Sequence, residues 1–396
     1  MKKTILHAAV LTVAVCSPFA AALQSTTQLD GLLRTAVEQE RVPMAVAMVA
    51  DANGIIYEHA TGARKDAIFA IASMTKPVTT VAVMQLVEAG RVRLDEPAAT
   101  YVPELAKVRV LDGGVLRPPK TPITVRHLLT HTAGFGYEFL NADLFALVSK
   151  KDVPSVMAGG DGFLNAPLVF DPGARWEYGI NTDWLGRLVE RVSGQTLEAY
   201  FAQKIFEPLG MHDTYFNVPP GKQPRMVAIF QRDADGGLVK PPAAPVTKVE
   251  FFSGGGGLFS TAPDYLTFLR ALLAGGQIRG RRILAPESVA AMGTNQLGDL
   301  MLRPMTSVIP QLAGNAVLPG EADKFGLGFA LNSKPLNGGR GANTMAWAGI
   351  YNTFFWIDRD RQVAAVLMTQ LLPFLDPGPK KLLEDFDRAV YAWKGR

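Results

Sequence analysis

Ser73 and Lys76 stand three residues apart in the stretch "AIFAIASMTKPVTTVAVMQLV", residues 67–87, where Lys76 is the only charged side chain. Residues i and i+3 share a helix face, so the amine can reach the hydroxyl. Burial would strip the amine of water and disfavour its charged form, and a neutral lysine is a base. Backbone N–H groups at a helix start can also receive a developing oxyanion. The spacing therefore admits a serine nucleophile activated without histidine. The competing reading is a lysine that snorkels to solvent beside an unrelated serine.

Other reactive patterns are weaker. No Gly-x-Ser-x-Gly occurs in the chain, which removes the usual nucleophile elbow. His127 and His131 in "HLLTH" have the i,i+4 spacing of zinc ligands, but no Glu follows the first and no third ligand is evident. His131 is read instead as a turn or capping residue of the "THTAG" helix stop. The run "SGGGGLF" lacks the Lys-Ser/Thr of a phosphate cradle, and a close backbone approach explains its glycines better.

The elements that must position Ser73 and Lys76 follow from periodicity. Val78, Val81, Ala82, Leu86 and Ala89 mark a helix that is apolar nearly all round, with Gly90 as its stop. Pro77 lacks an N–H and belongs in a first turn, so the helix must begin at about Ser73. Before it, "LDGLLRTAVEQE" has helical spacing, and "VAMVADANGIIYEHATG" reads as two strands joined at Asn53-Gly54. The middle is helical and loop-rich, with Leu185, Leu188, Val189 and Val192 on one face of "NTDWLGRLVERVSG". Near the end, "KFGLGFALN", "NTMAWAGIYNTFFWID" and "QVAAVLMTQLL" read as three strands before the helix "PKKLLEDFDRAVYAW". Strands at both ends with helices between predict an α+β fold, a sheet built from the two ends with a helical region inserted. The expected division is 1–22 as an export signal, 23–81 with 300–396 as the sheet domain, and 82–299 as the mostly helical region.

The signal reading rests on Lys2 and Lys3, an apolar stretch, and small residues at Ala20 and Ala22, with cleavage after Ala22. It implies a periplasmic or secreted protein. Val15 before Cys16 is not the small residue that lipoprotein processing wants. Cys16 is the only cysteine, so the mature chain would hold no disulfide, thiol nucleophile or cysteine ligand. Without Lys2 and Lys3, 38 of the 40 basic residues remain against 36 acidic ones, which is no footprint for nucleic acid or an anionic membrane. The apolar start is too short for a spanning helix, so no integral membrane segment is expected in the mature chain.

Taken together, "SMTK", "LLTHTAGFGY", "FDPGARWEYGINTDWLGRLVERVSG", "GGGGLFSTAPDYLTFLRALLAGG", "WAGIYNTFFWID" and "LMTQLLP" resemble, in order, the serine hydrolases related to class C β-lactamases and penicillin-binding proteins. The resemblance is closest to the family VIII carboxylesterases and runs from about residue 30 to 390. It implies an antiparallel sheet from both chain ends, flanked by helices, beside a mostly helical domain with the active site between them. It implies Ser73 as acylated nucleophile, Lys76 as base or proton shuttle, and Tyr178 as a phenol able to pass the proton to the leaving alkoxide. Without the family, Tyr178 would read as a core tyrosine. Two departures mark the subclass. The lactamases and peptidases carry Tyr-x-Asn, whereas here Ile180 is two after Tyr178 and Asn181 is one place late. They also carry Lys-Thr-Gly, where this chain has Trp347-Ala348-Gly349. The cation and amide that recognise an anionic β-lactam or peptide are thus missing. The N–H of Ile350, just after Gly349, carries over as second oxyanion donor beside that of Ser73, and Trp347 walls the acyl or alcohol pocket or packs in the core.

The expected activity is hydrolysis of carboxylic esters through an acyl-enzyme on Ser73, on a small-molecule ester, with no metal or organic cofactor. The alternatives are a β-lactamase or D-alanyl-D-alanine carboxypeptidase using the same nucleophile, and a non-catalytic periplasmic binding protein.

Overall fold

The computed structural model describes residues 18–242, 246–315 and 321–395, and the first 17 residues, on which most of the signal reading falls, lie outside the described residues. The helix α1 (Pro18–Glu38) leads into a hairpin of β1 (Ala45–Ala50) and β2 (Ile55–Thr61), turned by Asp51, whose carboxylate accepts the N–H groups of Asn53 and Gly54. One turn of 3₁₀ helix, Ala72–Met74, then opens α2 (Thr75–Glu88). Pro77 falls in the first turn of α2, and Gly90, at φ +66°, follows its end. The inserted region carries α3 (Asn181–Ser193) and α4 (Ala262–Leu273). The chain returns through β3 (Lys324–Phe325), β4 (Ala330–Leu331), β5 (Met345–Gly349), β6 (Thr353–Asp358) and β7 (Val363–Met368) to the last helix, α5 (Pro377–Lys394).

The seven strands form one antiparallel sheet in the order β3-β4-β5-β6-β7-β1-β2, so strands from the two ends of the chain meet where Val46 faces Met368. Side chains of a strand alternate between faces, and β6 shows the two environments at neighbouring residues. Trp356 turns to α5, where its ring lies 6.0 Å from that of Phe386 and its indole N–H donates to the Tyr391 hydroxyl. Phe355 turns the other way, 5.5 Å from the ring of Tyr265 on α4. Every residue of β1, β6 and β7 is buried, the pattern of strands covered on both faces. The helix α4 lies within the 82–299 segment yet packs on β1, β6 and β7, and α2 runs unbroken through residue 81.

Two segments read as single strands are each split. "NTMAWAGIYNTFFWID" folds back on itself as β5 and β6, which pair from Met345–Ile357 to Gly349–Thr353. Asn352 makes the turn at φ +59°, a left-handed conformation that Asn tolerates. Its amide donates to the carbonyls of Leu371 and Pro373 and its oxygen accepts the Leu375 N–H, which fixes the turn. "KFGLGFALN" breaks into β3 and β4 around Gly326, where a Cβ would lie 2.0 Å from the Met292 carbonyl oxygen, and Gly328 at φ +78°.

Phe386 is fully buried between Trp356 and Tyr57. Phe386→Ala is expected to destabilise the protein by about 3–5 kcal/mol through lost burial and a residual cavity. Urea denaturation followed by circular dichroism measures it, with exposed Lys380→Ala as a control expected to stay within about 0.5 kcal/mol of the parent protein.

Candidate active site

Ser73 lies in the middle of the 3₁₀ turn that opens α2, half-buried, with Lys76 one turn further on and 1% exposed. The Lys76 Nζ is 3.1 Å from Ser73 Oγ, 3.1 Å from Tyr137 Oη and 2.7 Å from the carbonyl oxygen of Gly255. It also lies over the faces of two rings, 4.7 Å from the centre of Tyr178 and 5.3 Å from that of Tyr137. An ammonium has three hydrogens and here finds three acceptors. In the neutral amine one contact must reverse to meet the lone pair. The Gly255 carbonyl can only accept, so the lone pair can face only the Ser73 or the Tyr137 hydroxyl.

Tyr178 sits on the extended segment ahead of α3 and reaches Ser73 Oγ at 2.6 Å. That segment is pinned from behind, since the Glu177 N–H donates to the carbonyl of His131. Gly179 lets the chain pass close against Phe135, whose carbonyl oxygen would be 2.4 Å from any Cβ there. Tyr178, distant in sequence from Ser73 and Lys76, thus joins them in one hydrogen-bonded cluster.

Ser73 and Tyr178 line a cavity of about 310 Å³, walled also by Phe139, Leu140, Met157, Trp347, Ile350 and Phe374, among others, with Lys76 behind them. Trp347 packs its ring 4.9 Å from that of Tyr178 and stacks on His131 at 6.4 Å. Gly349 ends β5 directly against the turn that carries Ser73, where a Cβ would lie 2.4 Å from the Ile71 carbonyl oxygen. Only glycine permits this approach, and it brings Ile350 to the same cavity as Ser73. Ser73 and Ile350 both line this cavity, so their backbone N–H groups belong to residues at its wall.

No lysine or arginine walls the cavity. Asn181 is buried at the start of α3 with its amide 2.9 Å from His131 Nδ1, and it does not reach the cavity. His131 occupies a turn at φ +56°, and its ring is buried against Tyr178, Trp347 and Phe325. Burial, with the nearby charge of Lys76 second, holds this imidazole well below its ordinary pKa, so it stays neutral. Among the described residues no group of acidic, histidine or cysteine side chains is arranged to hold a metal.

Sequence reasoning did not single out Tyr137, the second phenol on Lys76. It closes the quoted stretch "LLTHTAGFGY", but nothing in the spacing ties residue 137 to residue 76. Burial first, then the nearby Tyr178 phenol and the carboxylates of Asp183 and Glu138, hold the Tyr137 phenol well above its usual pKa, so it keeps its proton. The glycine run makes the close backbone approach that its composition predicts: a Cβ on Gly254 would be 2.7 Å from the Thr182 carbonyl oxygen.

Comparison with known proteins adds a family and relatives. A family model described as Beta-lactamase matches residues 29–389. Monacolin J acid methylbutanoyltransferase from Aspergillus terreus is 31% identical over 407 residues, covering 94% of this chain and 97% of the relative. Lovastatin esterase from Penicillium rubens is 29% identical over 405 residues, covering 93% and 100%. The unliganded structure of simvastatin synthase (LovD) from Aspergillus terreus superposes with a TM-score of 0.79 at 30% identity, over 93% of this chain and 98% of that one.

A fluorophosphonate reports the nucleophile directly. Adduct is expected on Ser73 alone by peptide mapping, and Lys76→Met should slow labelling by about 10²–10⁴-fold, the range of a lost general base. Adduct elsewhere, or unchanged labelling of the Lys76 variant, would overturn the assignment.

Proposed function

The chain belongs to the Beta-lactamase family, and from that premise we propose that it is a serine hydrolase cleaving neutral carboxylic esters through an acyl-enzyme on Ser73. The observation that carries the reading is the bonded set Ser73, Lys76 and Tyr178 beneath a cavity with no cation in its walls. Ser73 Oγ attacks the ester carbonyl carbon as its proton passes to the Lys76 amine. The carbonyl electrons move onto oxygen, which rests on the N–H groups of Ser73 and Ile350. As the tetrahedral species collapses, the alkoxide leaves with a proton delivered through Tyr178. Water then repeats the sequence on the acyl-enzyme. The protein supplies base, proton path and oxyanion donors from its own residues.

The relatives favour esters over β-lactams, since one is named an esterase and another an acyltransferase. Those names also support a second outcome of the same intermediate, transfer of the acyl group to an alcohol in place of water. The basic and then apolar start of the chain supports export, with cleavage near Ala22.

Parallel assays decide the substrate class. The kcat/KM for p-nitrophenyl butyrate should exceed that for a chromogenic cephalosporin by at least about 100-fold, because an anionic substrate meets no counter-charge in the cavity. A cephalosporin preference would overturn the ester reading while leaving Ser73 as nucleophile. Addition of a primary alcohol should divert part of the acyl group into a new ester, detected by mass.

A further inference from the structure

One buried carboxylate near the nucleophile has no part in the steps above. Asp183, in the first turn of α3, is 1% exposed, as buried as Lys76 itself. Its Oδ1 accepts the Ser253 hydroxyl at 2.6 Å and the Gly255 N–H at 3.0 Å. Gly255 is thereby gripped at both ends: its amide by the carboxylate, its carbonyl by the Lys76 amine at 2.7 Å. A Cβ at residue 255 would lie 2.3 Å from Asp183 Oδ2, so any larger residue must push that carboxylate aside. A buried carboxylate is costly unless it is hydrogen-bonded and near a cation, and Lys76 is the cation whose field acts on this one. Burial nevertheless leaves the carboxyl above its usual pKa range.

We propose that Asp183 is a positioning residue for Lys76: through the Gly255 peptide it holds the carbonyl on which the amine rests, and its charge steadies that amine when the Ser73 proton arrives. The inference builds on the serine-hydrolase reading. Its consequence is a division of labour around one nitrogen. Gly255 takes a hydrogen that is never released, so the exchangeable proton is confined to the side facing Ser73 and Tyr137. The titratable groups facing Lys76 are Tyr137, Tyr178, Asp183 and, through its field, His131. The buried imidazole is already neutral and the Tyr137 phenol keeps its proton across the assay range, so neither can mimic a change at the amine, while protonation of Asp183 itself would give a limb that Asp183→Asn abolishes rather than moves.

The test is the pH profile of kcat/KM on an activated ester. Asp183→Asn keeps an acceptor for Ser253 and Gly255 but removes the charge. Loss of that buried negative charge removes an interaction that favours positive charge beside Ser73, so the acidic limb should move to lower pH by about one unit while the plateau falls. Ser253→Ala removes a hydrogen bond and keeps the carboxylate, and its limb should stay in place. If the Asn variant does not fold, Gly255→Ala, which forces the carboxylate away, should move the limb in the same direction. A folded Asp183→Asn, or failing it a folded Gly255→Ala, whose limb coincides with that of the parent protein overturns the inference. Absence of turnover and of acyl-enzyme in the parent protein would instead defeat the hydrolase reading itself.

Discussion

A single nitrogen with its hydrogens fully committed sets the terms for the rest of the molecule. Lys76 is out of contact with water, and each of its three partners comes from a different part of the chain: Ser73 from its own helix start, Tyr137 from the loop after the "THTAG" turn, and Gly255 from the glycine run. An amine buried this way without its partners would pay a desolvation penalty of several kcal/mol. Long-range packing of the helical region against α2 is therefore a condition for tolerating the group that would do the chemistry. Close approach recurs because of it. Gly179, Gly255 and Gly349 each occupy a position where a side chain would collide with an atom of the site or its immediate support.

The same geometry explains what was readable beforehand. The pairing of Ser73 with Lys76 is local, one helical turn, and Pro77 fixes where that helix can start, so both could be read from spacing. Sheet strands from the two chain ends were legible in the apolar runs, and the α+β arrangement follows from them. Tyr178 came only with the family resemblance, because its distance from Ser73 is closed by tertiary packing. Tyr137 and Asp183 carried no signal at all: each meets Lys76 or its partner through a contact between segments far apart. The split of "NTMAWAGIYNTFFWID" was missed for a subtler reason. Its apolar run continues across the turn, and the reversal depends on one left-handed asparagine bonded to residues 371–375.

The proposed preference for neutral esters follows from replacements at the cavity wall. With an indole at residue 347 in place of a cation, and the amide of Asn181 committed to His131, the walls offer area and shape but no counter-charge. Such a site discriminates weakly among apolar groups that differ by a methylene, since each is worth about 1–3 kcal/mol, but firmly against an unpaired carboxylate.

The pairing of β1 with β7 also bears on how the chain matures. The first hairpin emerges early from the ribosome with one flank of β1 unsatisfied, and the strand that completes it is among the last segments made. Until then an apolar edge is exposed, the kind of surface that chaperones cover and that other chains can capture. Synthesis and sheet closure are thereby separated in time, and the half-made sheet must wait for its last partner strand.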